Sequence, residues 1–132
     1  MDRKAVNPWQ WSVNFGFNQA ELIEGGSKVL YCSGQTSVDG DGAPQNPGDM
    51  GAQIGLALDN LEAVLAGGGM TLSNLVRLNF YTTDVPAFMG EATPVLGARL
   101  GAAQVMPAGT LLGVASLAFP ELMVEIEGTA VA

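Results

Sequence analysis

"MGAQIGLALDNLEAVLAGGGMTLSNLVRLNFYTTD", residues 50–84, changes its hydrophobic period once, and that change decides the fold class. From Met50 to Ala66 apolar residues recur at Ile54, Leu58, Leu61 and Leu65. That spacing draws one stripe along a helix, Asp49 stands where a cap is needed, and Gly67-Gly68-Gly69 ends it. After Asn74 the period shortens to two: Val76, Leu78 and Phe80 alternate with Arg77, Asn79 and Tyr81, which predicts a strand with two distinct faces.

On the N-terminal side, "FNQAELIEGGSKVLYCSGQ" (17–35) predicts two strands paired as a hairpin across Glu24-Gly25-Gly26-Ser27, because the glycines supply positive φ. Residues 36–49 are turn chemistry. On the C-terminal side a second helix is expected in two pieces. A turn spans Val85 to Gly90; then Thr93 caps a segment with Pro94 at its first position and Val95, Leu96, Arg99 and Leu100 on one side, weakened by Gly97 and Gly101. Two strands follow "MPAG" (106–109), Thr110 to Leu117 and Leu122 to Val131, expected as an antiparallel pair across Ala118-Phe119-Pro120-Glu121. The order β-β-α-β-α-β-β describes an α+β single domain over 1–132, with residues 1–16 as an N-terminal arm and both helices covering one face of the sheet. Because the strand from Thr110 to Leu117 is apolar on both sides, the other face also calls for a cover, and self-association supplies one.

In the last strand Leu122, Val124 and Ile126 point one way while Met123, Glu125, Glu127 and Thr129 point the other. Two carboxylates on one strand face are either solvated, and then carry no meaning, or covered, and then must be paired, protonated or used. Composition narrows the uses. Apolar residues make up 48% of the chain and charged residues 14%, which favours a globular fold whose surface is partly buried in an oligomer. Net charge is −8 with five Lys and Arg in no cluster, so nucleic acid is not an expected partner. There is no histidine, which removes His triads, His metal sites and a His general base. Acid–base work near neutrality then falls to carboxylates, a held water, Tyr31, Tyr81 or Cys32. Cys32 is the lone cysteine and reads as a buried small hydrophobe in a reducing compartment. No apolar run approaches membrane-spanning length, and "MDRKAVNPWQWS" has no signal core, so the expectation is a cytoplasmic protein without a membrane partner. Trp9 and Trp11 read first as an arm packing on a neighbour, with a cleft-lining indole as the alternative.

"SGQ" at 33–35, residues 53–84, "MPAG" at 106–109 and "VEIEGTAV" at 124–131 together resemble the Rid (YjgF, reactive intermediate deaminase) family, from about Phe17 to the C-terminus. The resemblance implies a chorismate-mutase-like fold, a homotrimer with a central β-barrel and small-molecule clefts between subunits. It implies hydrolysis of enamines and imines such as 2-aminoacrylate to a keto acid and ammonia, with no metal or organic cofactor. Carried over residue by residue, it makes Glu125 the water-handling catalytic carboxylate and Phe17, Gly34, Gly109 and Thr110 the substrate-binding positions. Two of these positions, and a third in the second helical region, depart from the family's residues. Gly109 stands where the family has an arginine that forks to a substrate carboxylate, Phe17 replaces a tyrosine, and Ala92 an asparagine.

Losing one partner of a desolvated arginine–carboxylate pair costs about 2–5 kcal/mol. The expectation is therefore an imine or enamine hydrolase for a neutral or weakly charged substrate, with Thr110 and the Gly34 amide orienting it. Restoring arginine at position 109 is expected to raise activity on carboxylated imines. Arg77 and Arg99 are the two cations that could stand in, each read first as an ordinary ion pair. Glu127 reads as structural. The alternative from another class is a non-catalytic ligand-binding or interaction trimer. The ribonuclease activity named in older family labels fits worst, for want of cations and histidine.

Overall fold

β7 (Val124–Val131) is the strand on which the sheet is built, because it is hydrogen-bonded along both edges. On one side it pairs antiparallel with β5 (Leu75–Thr82); on the other it takes two short strands in succession, β3 (Val29–Tyr31) and β4 (Gln35–Thr36). β6 (Leu111–Gly113) closes the far edge, parallel to β5. The computed structural model describes all residues from 1 to 132. The chain is an α+β single domain with a mixed sheet and its helices on one face.

The helix read from the 50–66 stripe is α2, Met50–Gly67. Asp49 caps it as expected, its Oδ1 accepting the Ala52 N–H at 3.0 Å, and the chain leaves through Gly69 at φ +72°. Ile54, Leu58, Leu61 and Leu65 are wholly buried against Leu75, Leu78, Val124, Ile126 and Ala130 of β5 and β7. Gly128 lets this helix come close: a Cβ there would stand 2.9 Å from Leu75 Cδ2 and 3.4 Å from Leu61 Cδ1.

The second helical region forms in pieces, with different joints. Asp84 caps a short α3 (Val85–Ala87), its Oδ1 accepting from the Ala87 N–H at 3.0 Å. A wide π turn over Phe88–Ala92 then runs without a break into α4 (Thr93–Ala102). Thr93 is therefore not a cap. Its hydroxyl donates back to the Met89 carbonyl, inside a run that Pro94, which has no N–H, would otherwise weaken.

Two strand pairings differ from the sequence reading. β2 (Ala20–Glu24) does not pair with β3; it forms a separate ribbon with β1 (Asp2–Val6), in register from Asp2↔Glu24 to Val6↔Ala20. Gly25 and Gly26 do take positive φ, +72° and +91°, but they swing the chain from one sheet to the other. There the N–H groups of Ser27 and Lys28 find the carbonyl of Ala132, each at 3.0 Å. Turn residues fix a change of direction and say nothing of which backbone receives the next strand. Likewise β6 does not pair with β7. It is shorter than expected and lies across β5 from β7, with Leu111 toward the core and Leu112 half exposed. The ribbon is held by Arg3, which bonds Glu21 at 3.1 Å and the Ser73 carbonyl at 2.9 Å.

Gln53, buried in α2, holds the start of β7 in place. Its Nε2 donates to the carbonyls of Asn46 (3.1 Å) and Glu121 (2.9 Å), and its Oε1 accepts the Met123 N–H at 2.8 Å. Gln53→Leu leaves three backbone groups without partners at roughly 1–3 kcal/mol each when buried. Urea unfolding is expected to show a stability loss of at least about 2 kcal/mol; a smaller loss would mean that water replaces these bonds.

Candidate functional site

A cleft of about 820 Å³ opens on the helix side of the sheet, between α4, the β5–β6 edge and the segment that carries α1 (Trp11–Asn14). Three expected ligand positions meet in it: Phe17, Gly109 and Thr110. Its wall is mainly apolar. Trp11 stands edge-on to Phe15 (centroids 6.3 Å apart) and to Phe17 (5.6 Å), and Met89, Gly97 and Gly101 face them from the π turn and α4.

Phe17 is placed by polar neighbours. Its N–H donates to the Ser12 carbonyl at 3.1 Å, and buried Asn18 next to it donates to the Met106 carbonyl (2.9 Å) and to Glu21 (3.0 Å). Asn7 donates in turn to Asn18 at 2.8 Å, so one side-chain chain ties the N-terminal segment to the loop before Gly109.

Residues 108–110 are zipped onto β5. The Ala108 N–H donates to the Val76 carbonyl (3.1 Å), the Leu78 N–H to the Ala108 carbonyl (2.8 Å) and the Phe80 N–H to the Thr110 carbonyl (2.8 Å). A Cβ on Gly109 would drive into the carbonyl oxygen of Leu78. Position 109 is thus not an open socket awaiting an arginine, since backbone occupies the space through which the side chain would leave. The expectation that arginine at 109 would restore an anion site is corrected on that ground.

Of the two candidate cations, Arg99 is committed elsewhere, paired with Asp59 and Glu62 of α2 at 3.0 Å each. Arg77 has no carboxylate within ion-pair distance; its Nη2 donates to Thr110 Oγ1 at 3.3 Å on the rim of the cleft, and it does not line it.

The other two expected residues, Gly34 and Glu125, lie together and away from the cleft wall. A Cβ on Gly34 would collide with Glu125 Oε1, so a side chain at 34 would displace the carboxylate from this position. Glu125 and Glu127 project from the helix-free face of the sheet, opposite Tyr81 and Asn79 of β5. Their situations differ. Glu127 accepts from the Tyr81 hydroxyl (2.9 Å) and the Asn79 amide (3.2 Å), which supports its structural reading, whereas Glu125 accepts no hydrogen bond from its own chain. Partial burial pushes the Glu125 carboxyl up from its ordinary range, and the Glu127 charge pushes it further. The Tyr81 phenol is raised too, chiefly by its bond to Glu127, so it remains a donor near neutrality. No three His, Cys, Asp or Glu side chains converge anywhere. Cys32 is a buried member of the core, its thiol raised by desolvation.

Sequence reasoning did not single out Phe15, it gave a cleft-lining Trp11 second place behind a contact with a neighbour, and it read Gly97 and Gly101 as helix weaknesses. The one signal available was spacing: two glycines four apart fall on one helix face, in line with Met89 and Thr93.

Comparison with known proteins agrees with this architecture. Residues 16–132 match the family described as Endoribonuclease L-PSP. Protein DfrA of Myxococcus xanthus is 35% identical over 89 residues, 67% of each chain. The RutC family protein YjgH of Escherichia coli is 33% identical over 90 residues, 68% of this chain and 66% of that protein. The crystal structure of YyfB from Yersinia pestis, a protein of unknown function of the conserved Rid family, superimposes with a TM-score of 0.89 at 34% identity over the whole of both chains. Rv2704 of Mycobacterium tuberculosis, from the YjgF/YER057c/UK114 family, gives 0.67 at 28% identity, over 99% of this chain and 100% of that one.

Two variants probe this geometry. Gly109→Ala and Gly109→Arg both force β5 and the 108–110 segment apart, and thermal or urea unfolding should show a loss of about 1–3 kcal/mol, typical of overpacking, with no gain on carboxylated imines. For Glu125 the folded carboxyl titrates above its unfolded value. Its contribution to stability is therefore full below the ordinary value of 4.5 and is lost as pH rises through the folded value. Glu125→Gln is expected to match wild type in melting temperature below that pH, to exceed it by a growing margin as pH rises from there through the folded value, and to keep that margin beyond it. A constant difference across the range would contradict the burial argument.

Proposed function

This chain belongs to the Rid family, known also as the endoribonuclease L-PSP family, and we propose that it is a small-molecule imine or enamine hydrolase for uncharged or weakly charged substrates, working in clefts between copies of itself. The observation that carries this reading is the contrast between the two carboxylates of β7. Glu127 is satisfied by two donors, while Glu125 is partly buried, raised in pKa and without a hydrogen bond from its own chain. A carboxyl group raised by burial and left without a hydrogen-bond partner is suited to general acid–base work.

Phe17, Gly109 and Thr110 stand at the cleft, and Gly34 and Glu125 do not line it. In this reading a second copy brings its Glu125 and Gly34 to the first copy's cleft. The helix-free sheet face supports association: Tyr31 is 80% exposed, Val29 53% and Leu112 50%, beside the Glu127 cluster. Apolar side chains in such a position call for a cover, and a homotrimer closed around that face provides it.

In the reaction, Glu125 accepts a proton from a water as the water oxygen bonds to the imine carbon. The C=N π pair moves to nitrogen, which takes that proton to give a carbinolamine. Collapse of the carbinolamine passes its hydroxyl proton through Glu125 to nitrogen; an oxygen lone pair forms the C=O as the C–N pair leaves with nitrogen, releasing ammonia or an amine and the carbonyl. Thr110 orients the substrate, its own hydroxyl held by Arg77. With no arginine at 109 and −8 net charge, a carboxylated substrate has no dedicated partner. The same low charge and lack of histidine argue against RNA as substrate. A ligand-binding trimer without catalysis is the second reading, favoured by one observation: the cleft's own lining contains no titratable acid or base.

Enzymatically generated imines, with and without a carboxylate, should be assayed for ammonia and carbonyl formation. Turnover is expected with the uncarboxylated imines and should fall on the order of 100-fold or more in Glu125→Gln, the scale of general acid–base catalysis. Turnover untouched by that change would remove the glutamate mechanism, and no turnover of any imine would leave the binding reading. Light scattering that gave a monomer would remove both.

A further inference from the structure

We propose that the cleft takes an uncharged ligand bearing an aromatic or comparably bulky apolar group, which lies between the Trp11–Phe17 aromatic wall and the glycine face of α4. The inference rests on the reading of this cleft as the ligand site, but not on hydrolysis. Four observations carry it.

The first is size: about 820 Å³ falls toward the upper end of the roughly 300–1,000 Å³ of small-molecule sites. A three-carbon imine would touch only one wall of such a space. The second is chemistry. Twelve of the twenty lining residues are hydrophobic and none is charged, so transfer from water favours apolar surface and penalises a charge.

The third is the helix face. Gly97 and Gly101 both line the cleft, and a Cβ at either would meet no atom within 4 Å. Nothing in the chain's own packing requires glycine there, and glycine is among the least favourable helix residues. Both line the cleft and both are exposed, so with no side chain at either position this part of the α4 wall is bare backbone. The fourth is the opposite wall. Trp11 and Phe17 meet at an interplanar angle of 80°, and their ring faces and edges offer the offset and edge-on contacts that an aromatic guest prefers. Trp11 is 53% exposed and Phe15 71%, large apolar surface that a bound ring system would cover.

The probe is N-phenylnaphthylamine, an uncharged dye that brightens in apolar sites, compared with its sulfonated counterpart anilinonaphthalene sulfonate. Trp9 does not line the cleft, so Trp9→Phe leaves Trp11 as the one tryptophan and the local reporter. Saturable brightening of the neutral dye is expected, with Trp11 quenched at the same midpoint, and binding of the sulfonate about tenfold weaker or more. Gly97→Leu should weaken the neutral dye about tenfold or more while its melting temperature stays level or rises. Gly101→Leu repeats the test should the first variant not fold.

No saturable binding to the parent protein, as when another copy's side chains fill the cleft, would overturn the proposal. So would a Gly97→Leu variant that binds as the parent does, or equal affinity for the sulfonate. Glu125→Gln separates this from the hydrolase reading. Dye binding that survives without imine turnover in any variant sinks hydrolysis alone, while turnover of small imines by a protein that does not take the dye sinks this inference alone.

Discussion

The antiparallel ladder between β5 and β7 is the constraint on which the molecule depends. β7 is hydrogen-bonded on both edges, so its register cannot slip by one residue without breaking two ladders and turning its apolar face away from the helices. Locked in that way, Val124, Ile126 and Ala130 must lie under α2, and Glu125 and Glu127 must lie on the side the helices leave uncovered. The two acids are where they are because the core is where it is. Tyr81 and Asn79 then decide between them, since both donate to Glu127 and neither to Glu125.

The same strand organises the cleft from its other edge. Zipping residues 108–110 against β5 places Thr110 next to Arg77 and removes the volume in which a side chain at 109 would begin. The resemblance read from the sequence sets an arginine at that position. Here the equivalent region is backbone on one side and aromatic rings on the other. Loss of the arginine and the apolar lining point in one direction: a site that lacks a charge partner but presents large apolar surface gains affinity from burial, which is not directional and scales with the area covered.

The periodicities were legible without coordinates. The stripe at Ile54, Leu58, Leu61 and Leu65, the cap at Asp49 and the alternation of residues 77–81 and 124–129 appear in the fold as read, because each depends on neighbours a few residues away; a bulge between Leu75 and Arg77 puts Leu75 in the core where Val76 was expected, and the last strand begins at Val124 and not at Leu122. Partners were less legible. Gly25-Gly26 announced a turn, and the turn exists, but β2 found β1 and β3 found β7. The extended segment after Gly109 exists as well, yet it went to the far edge of β5 and not to β7. In each case the local conformation was encoded locally and the hydrogen-bond partner was not.

By itself, then, the sequence determined the element types, the two-faced strand with its pair of glutamates, the absence of a charged anchor at 109 and the family to which these words belong. Tertiary structure alone decided which glutamate is satisfied and which is free, that Gly109 is closed by the Leu78 carbonyl, and that Trp11, Phe17, Gly97 and Gly101 face one another across a cavity. The physical reason is range. Helix and strand periods, caps and turns arise from contacts within a few residues, whereas a cavity, a blocked Cβ or an unpartnered carboxylate is made by atoms that only the folded chain brings together.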